Sequence, residues 1–222
     1  MRTLYHLWLN PFSRKVRIVL AEKDLGFDMV VEQVWDRRRE FLAINPAGDV
    51  PVIIEDDGTV LADSGAICEF VEEIAPEPPM IMGNPHERAE IRRLVSWFDR
   101  KFDAEISAPL VDEKVMKRIK GLGSPDSKVI RAAHANIHTH LEYIGYLTGR
   151  RHWLAGEKFS LADIAAAAHL SAVDYLGDVP WADHEAAKDW YARIKSRPSF
   201  RQILADAIPG LPPPKHYANP DF

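Results

Sequence analysis

A change of hydrophobic period one third of the way along the chain constrains the fold more than any other feature. The first third alternates short strand-like runs with helical ones. Between about 84 and 205 no strand pattern survives, while Ile91-Leu94-Val95-Phe98-Phe102 and Ile130-Ala133-Ile137-Leu141-Ile144 keep a helical stripe. A small α/β unit followed by an all-helical bundle is the expected architecture, and 222 residues suffice for two modest domains. Their expected limits are 1–77 and 84–205, joined through Pro76, Pro78 and Pro79. Residues 206–222, with Pro209, Pro212-Pro213-Pro214 and Pro220, read as a proline-rich extended tail.

Within the first unit, Thr3 to Leu9 predicts a strand that stops at Asn10-Pro11, and Ser13 to Lys23 a helix ended near Gly26. Phe27 to Val34 reads as a second strand feeding a basic loop or short helix, Trp35-Asp36-Arg37-Arg38-Arg39. Val52-Ile53-Ile54 and Thr59-Val60-Leu61 flank Asp57-Gly58, whose residues favour the positive φ angles of a tight antiparallel hairpin. Asp63-Ser64 then opens a helix that closes before Pro76.

Composition narrows the function classes. The 28 Lys+Arg and 33 Asp+Glu leave −5, so no dominant basic face for nucleic acid is expected. The lone Cys68 forbids an internal disulfide, suits the reducing cytoplasm, and sits among apolar neighbours as a small hydrophobe. No secretion signal and no run of about eighteen apolar residues is read. His134 and His138 form an i,i+4 pair with His140 nearby, but no metalloprotease acid accompanies them, so no metal is expected. Trp97, Phe98 and Phe102 lie at bundle spacing, as core or dimer surface.

Three motifs carry a family resemblance: Asn45-Pro46-Ala47-Gly48-Asp49-Val50-Pro51-Val52-Ile53, Leu61-Ala62-Asp63-Ser64-Gly65-Ala66-Ile67 and Phe159-Ser160-Leu161-Ala162-Asp163-Ile164. With the order of elements they resemble the glutathione transferase superfamily over nearly the whole chain. The resemblance implies an α/β thioredoxin-like N-terminal domain, an all-α C-terminal helix bundle and a homodimer. It also implies a cis peptide before Pro51, aligning the Val50 backbone with the cysteinyl part of glutathione; a proline at the first position of a strand is the plainer reading. Ser64 would hold the γ-glutamyl carboxylate at a helix N-terminus, or serve as an ordinary cap, and Asp63 would face the ammonium group. Ser160 and Asp163 form a capping box, with Phe159 and Ile164 placed as a hydrophobic staple.

Two departures weaken the resemblance at its chemical centre. Family members stabilise the glutathione thiolate with a hydroxyl or a cysteine, and the serine-class activator position falls on Asn10, which has neither. Lowering a thiol pKa by about two units takes about 2.7 kcal/mol of differential stabilisation, and an amide donor supplies less than a hydroxyl. Ser13 and Tyr5 are the substitutes, though Ser13 also reads as an N-cap and Tyr5 as core. Asp49 puts a carboxylate where the family often has Lys, Arg or Gln, and like charges about 4 Å apart at an effective dielectric near 20 repel by several kcal/mol. Glutathione binding is therefore expected to be weak unless Arg37, Arg38 and Arg39 fold over the site.

Arg92-Arg93-Leu94-Val95-Ser96-Trp97-Phe98-Asp99-Arg100-Lys101-Phe102 and the ending Pro214-Lys215-His216-Tyr217-Ala218-Asn219-Pro220-Asp221-Phe222 look like the FzlA family of alphaproteobacterial division proteins. That resemblance implies a protein that needs no cofactor, binds and bends filaments of the tubulin-like FtsZ, and works at the division site. Trp35, Asp221 and Phe222 are then the partner-binding candidates, with Tyr217 as a further aromatic anchor; a frayed or packed terminus is the alternative. A transferase, isomerase or reductase with weak thiol activation is the competing function.

Overall fold

The computed structural model describes residues 1–220. Strand β1 (Arg2–His6), helix α1 (Pro11–Glu22) and strand β2 (Phe27–Val31) form a β-α-β start to the sheet, followed by a 3-10 turn (Val34–Asp36) and helix α2 (Arg39–Ile44). Strands β3 (Val52–Ile54) and β4 (Val60–Ala62) complete a four-stranded sheet of order β2-β1-β3-β4, in which only β1 and β2 are parallel. Helix α3 (Ser64–Ile74) closes this unit.

Several local expectations shift. β1 stops at His6 and not at Leu9, because Asn10-Pro11 begins α1: the Asn10 side chain caps the helix and Pro11 takes its first position, where a missing N–H costs nothing. β2 ends three residues early, where the backbone turns into the 3-10 segment and Glu32 is drawn in against Arg38. At the β3–β4 turn only Gly58 has positive φ (85°), so Asp57 is not left-handed there.

Helix α4 (Pro85–Ser96) runs on through π-helical turns at Trp97–Ser107 and Asp112–Met116, interleaved with α5 (Ala108–Val111) and α6 (Lys117–Ile119). Helices α7 (Ser127–Thr148), α8 (Leu161–Tyr175), α9 (Glu185–Lys195) and α10 (Arg201–Leu204) complete the bundle. Every residue of the alanine-rich α8 is buried, its Asp163, His169, Ser171 and Asp174 included, and α1 packs directly on it. Its start carries the expected box: Ser160 Oγ accepts from Ala162 N–H at 3.3 Å, and Asp163 Oδ2 accepts from Ser160 N–H at 3.0 Å.

The proline-rich end is not a free tail. Asp206 is buried beneath Arg14 and Arg17, the Tyr175 hydroxyl donates to the Leu211 carbonyl, and Tyr217 is fully buried with its hydroxyl donating to the Ile203 carbonyl. Tyr217 is therefore core, which corrects its reading as an exposed anchor. Asp221 and Phe222 lie outside the described residues.

His6, fully buried on β1, has its pKa pushed down to about 4 by burial and by the nearby Arg17 cation. The fold then holds a neutral ring while the unfolded chain takes up a proton below about 6.5. Stability is fully present above about 6.5 and falls as pH drops towards 4. Urea titrations of His6→Leu should lack that part of the slope; an unchanged slope would count against it.

Candidate functional site

At the head of α1, three candidate sulphur ligands meet different fates. Asn10 Oδ1 accepts from Ser13 N–H at 2.7 Å, so the cap consumes its oxygen and leaves its amide NH2 without a partner among the described residues. Ser13 is the third helical residue and not the cap; its hydroxyl is buried and faces Leu7 N–H at 3.5 Å. Tyr5 packs on Phe41, ring centroids 5.5 Å apart, in a cluster with Val50 and Val52. Of the three, Asn10 alone lines the cavity described below.

The other residues of the family resemblance stand at the starts of β3 and α3. The Val50–Pro51 peptide is cis. Asp63, at φ 71°, caps α3 by accepting from Gly65 N–H (2.7 Å) and Ala66 N–H (3.2 Å). Capping is thus Asp63's task, and Ser64, at the first helical position, keeps a hydroxyl with no hydrogen bond among the described residues. Asp49 is exposed, and its carboxylate accepts from Asn45 Nδ2 at 2.8 Å. Arg38 grips Glu32 through two bonds of 3.2 and 2.7 Å. Arg37 lies over Gly48, its Nη1 3.4 Å from where a Cβ would stand, which brings one cation next to Asp49. Toward glutathione, the start of α3 offers the Ser64 hydroxyl and the Asp63 carboxylate, while the sulphur end offers an amide and no hydroxyl.

Between the two units opens a cavity of about 490 Å³, walled by Trp8, Phe12, Trp35, Val115, Met116 and Ile208 among others. Trp35 sits at its rim with the Lys120 ammonium 5.8 Å from its ring centroid. Asp103, on the wall, has its carboxyl raised by burial. Behind it, Ser107 Oγ lies 3.0 Å from His169 Nδ1 and His169 Nε2 3.3 Å from Asp99 Oδ1, while Asp99 pairs with Lys15. Burial pushes the Asp99 carboxyl up, but His169 and Lys15 outweigh it and hold it below the usual range. Ser107 and His169 are fully buried, so this chain of bonds braces α1 against the bundle.

Sequence reasoning missed that brace and its neighbour. Arg14 donates to the Trp8 carbonyl (2.6 Å), Ser171 Oγ (2.9 Å) and Asp206 (3.1 Å), and Arg17 takes both Asp206 oxygens at 2.9 and 2.8 Å. The available signal was three cations in four residues of a helix that must pack on both sides.

Two family descriptions match this chain: the glutathione S-transferase N-terminal domain over residues 4–79 and its C-terminal domain over 123–198. FtsZ-localized protein A of Caulobacter vibrioides is 49% identical over 100% of this chain and 98% of its own. The chain belongs to the glutathione S-transferase family. Among solved structures, a glutathione S-transferase from Rhodospirillum rubrum F11 superposes with TM-score 0.98 at 56% identity, covering 100% of both chains. FzlA from C. crescentus follows at TM-score 0.97 and 49% identity, over 100% of this chain and 99% of that one.

Against the family's thiol chemistry, Cys68 offers nothing: burial pushes its thiol up to about 12. The histidines of α7 diverge, His134 to Asp178 (2.9 Å), His138 to His184 (2.8 Å) and His140 to Glu105 (2.9 Å). Among the described residues, no group of three or more ligand-type side chains is placed to hold a metal ion.

Proposed function

We propose that this glutathione S-transferase-fold chain is a cell-division protein that binds FtsZ filaments through the rim of its interdomain cavity. The observation that carries this reading is full-length identity of 49% to FtsZ-localized protein A. The site supports it: the sulphur end offers a thiolate only the Asn10 amide NH2 and no hydroxyl, whereas Trp35 lines the cavity. Trp35, with Asp221 and Phe222, is the proposed contact set, and the division site is the proposed location. Filaments polymerised with GTP and pelleted should carry the wild-type chain down. Trp35→Ala should weaken that by about tenfold or more, as for a buried aromatic anchor; equal pelleting would remove Trp35 from the interface.

A homodimer is part of the same reading. Trp97, in the π-helical stretch after α4, meets Tyr143 of α7 (4.8 Å), Tyr143 stacks with Tyr146 (6.5 Å), and Arg150 just beyond α7 lies over Tyr146 (3.8 Å), which is 55% exposed. Half-buried Trp97 and Tyr143 leading to exposed Tyr146 and Arg150 suit a protein interface. Sedimentation velocity would test the state.

The Ser64 hydroxyl, with no hydrogen bond among the described residues, favours a second reading, weak glutathione conjugation. Asn10→Ser should preserve the cap within ~0.5 kcal/mol while supplying a hydroxyl. Its turnover of a chlorodinitrobenzene-type electrophile with glutathione should rise clearly over wild type. Equal rates would place the limit elsewhere in the site.

A further inference from the structure

The cavity between the two units combines an apolar body with an excess of negative charge. Its volume of about 490 Å³ lies within the ~300–1,000 Å³ of pockets that hold small molecules. Trp8, Phe12 and Trp35 contribute aromatic side chains to its lining, and Val34, Val111 and Met116 aliphatic ones. Among the described residues that line it, the charged ones are Asp103, Asp112 and Lys120. Two carboxylates thus stand against one ammonium.

That ammonium does not neutralise either acid. Lys120 lies 5.8 Å from the Trp35 ring centroid and forms no ion pair with Asp103 or Asp112 among the described residues. Asp103, half-buried, has the His169 ring for company, Nδ1 3.6 Å from its Oδ1, but that nitrogen also faces Ser107 Oγ at 3.0 Å. Burial raises the Asp103 carboxyl; His169 pulls the other way, and Asp99 and Asp112 push it further up. A cation brought to Asp103 relieves what its acidic neighbours impose. An anion in the same place meets repulsion, and a neutral molecule covers the carboxylate without pairing it. Aromatic side chains favour the same guest, since a ring face attracts ammonium groups, as Trp35 and Lys120 already show.

We propose that the cavity is a binding site for a small molecule with an apolar, aromatic body and one protonated amine. The amine pairs with Asp103, and Asp112 adds to the attraction. This site needs neither glutathione nor a filament, so its test stands apart from both functions proposed above.

Three probes of nearly one shape separate the ligand classes by titration calorimetry at neutral pH: naphthylethylamine, naphthylethanol and naphthylacetic acid. The amine should bind wild type about tenfold or more tighter than the alcohol, and the acid should bind weakest. Asp103→Asn keeps the shape and removes the charge. It should cost the amine about tenfold while the alcohol stays within about twofold, and Asp112→Asn, at an exposed position, should cost the amine about threefold. If Asp103→Asn melts lower than wild type, the order of the three probes on wild type decides. An amine that binds no tighter than the alcohol, or a preference that Asp103→Asn leaves intact in a chain melting like wild type, overturns the proposal. Wild type that binds none of the three overturns it as well.

Discussion

Asp206→Ala is expected to lower the unfolding free energy by about 3–5 kcal/mol, the range found when one partner of a buried ion pair is removed. Asp206 is the carboxylate that faces both Arg14 and Arg17, and the side chains of all three are 2% exposed or less. Without it two guanidinium charges stay buried between α1 and the end of the bundle, with neutral acceptors such as the Trp8 and Gln202 carbonyls, Ser171 Oγ and the Tyr217 hydroxyl in place of a carboxylate. Urea denaturation followed by circular dichroism measures the loss. A control separates charge from shape: with Arg14→Met and Arg17→Leu added, a Asp206→Leu chain should recover most of the loss, since apolar replacement of a buried ionic cluster is often neutral. A single substitution costing under ~1 kcal/mol would mean that water reaches the cluster.

This interface also marks where sequence reasoning ends. The order of strands and helices was readable because it is written locally, in period, turn residues and caps such as Asp57-Gly58 and Ser160…Asp163. The errors at element ends are local too. Asn10-Pro11 reads equally as a strand stop or as a cap with proline in the first turn, and only the direction of the Asn10 side chain decides. The proline-rich end is different in kind. Proline rules out regular helix there but says nothing about burial, which depends on Asp206 meeting arginines 192 and 189 residues away and on Tyr217 packing against Tyr175 at 5.1 Å.

The site divides the same way. Residue types at Asn10, Asp63 and Ser64 were visible, and so was the poverty of the sulphur end. Which of Asp63 and Ser64 caps α3 was not, because both side chains bear oxygen; the left-handed backbone at Asp63 aims its carboxylate at Gly65 and Ala66 and frees Ser64. The cavity itself had no local signal, being assembled from the ends of β1 and β2, the long α4–α6 rod and Ile208.

Asp163→Ala should be nearly as damaging as the loss of Asp206, at about 3–4 kcal/mol, and well beyond the ~1 kcal/mol of an ordinary cap. The carboxylate is fully buried and takes four donors: Leu154 N–H (3.0 Å) and Trp190 Nε1–H (2.9 Å) on one oxygen, Ser160 N–H (3.0 Å) and Ser160 Oγ–H (3.1 Å) on the other. It therefore ties the start of α8 to the loop before it and to α9, and its removal strands two buried donors that no cap accounts for, each costing ~1–3 kcal/mol. Ser160→Ala takes away one hydroxyl and leaves the Leu154 and Trp190 bonds standing, so it should cost about 1 kcal/mol. Asp163→Asn is the sharper variant, because its NH2 must face either the Ser160 pair or the Leu154–Trp190 pair, donor against donor, and it should fall between the two. Melting and urea midpoints in the order wild type, Ser160→Ala, Asp163→Asn, Asp163→Ala would establish this carboxylate as a tertiary hub; equal losses at Ser160 and Asp163 would reduce it to a cap.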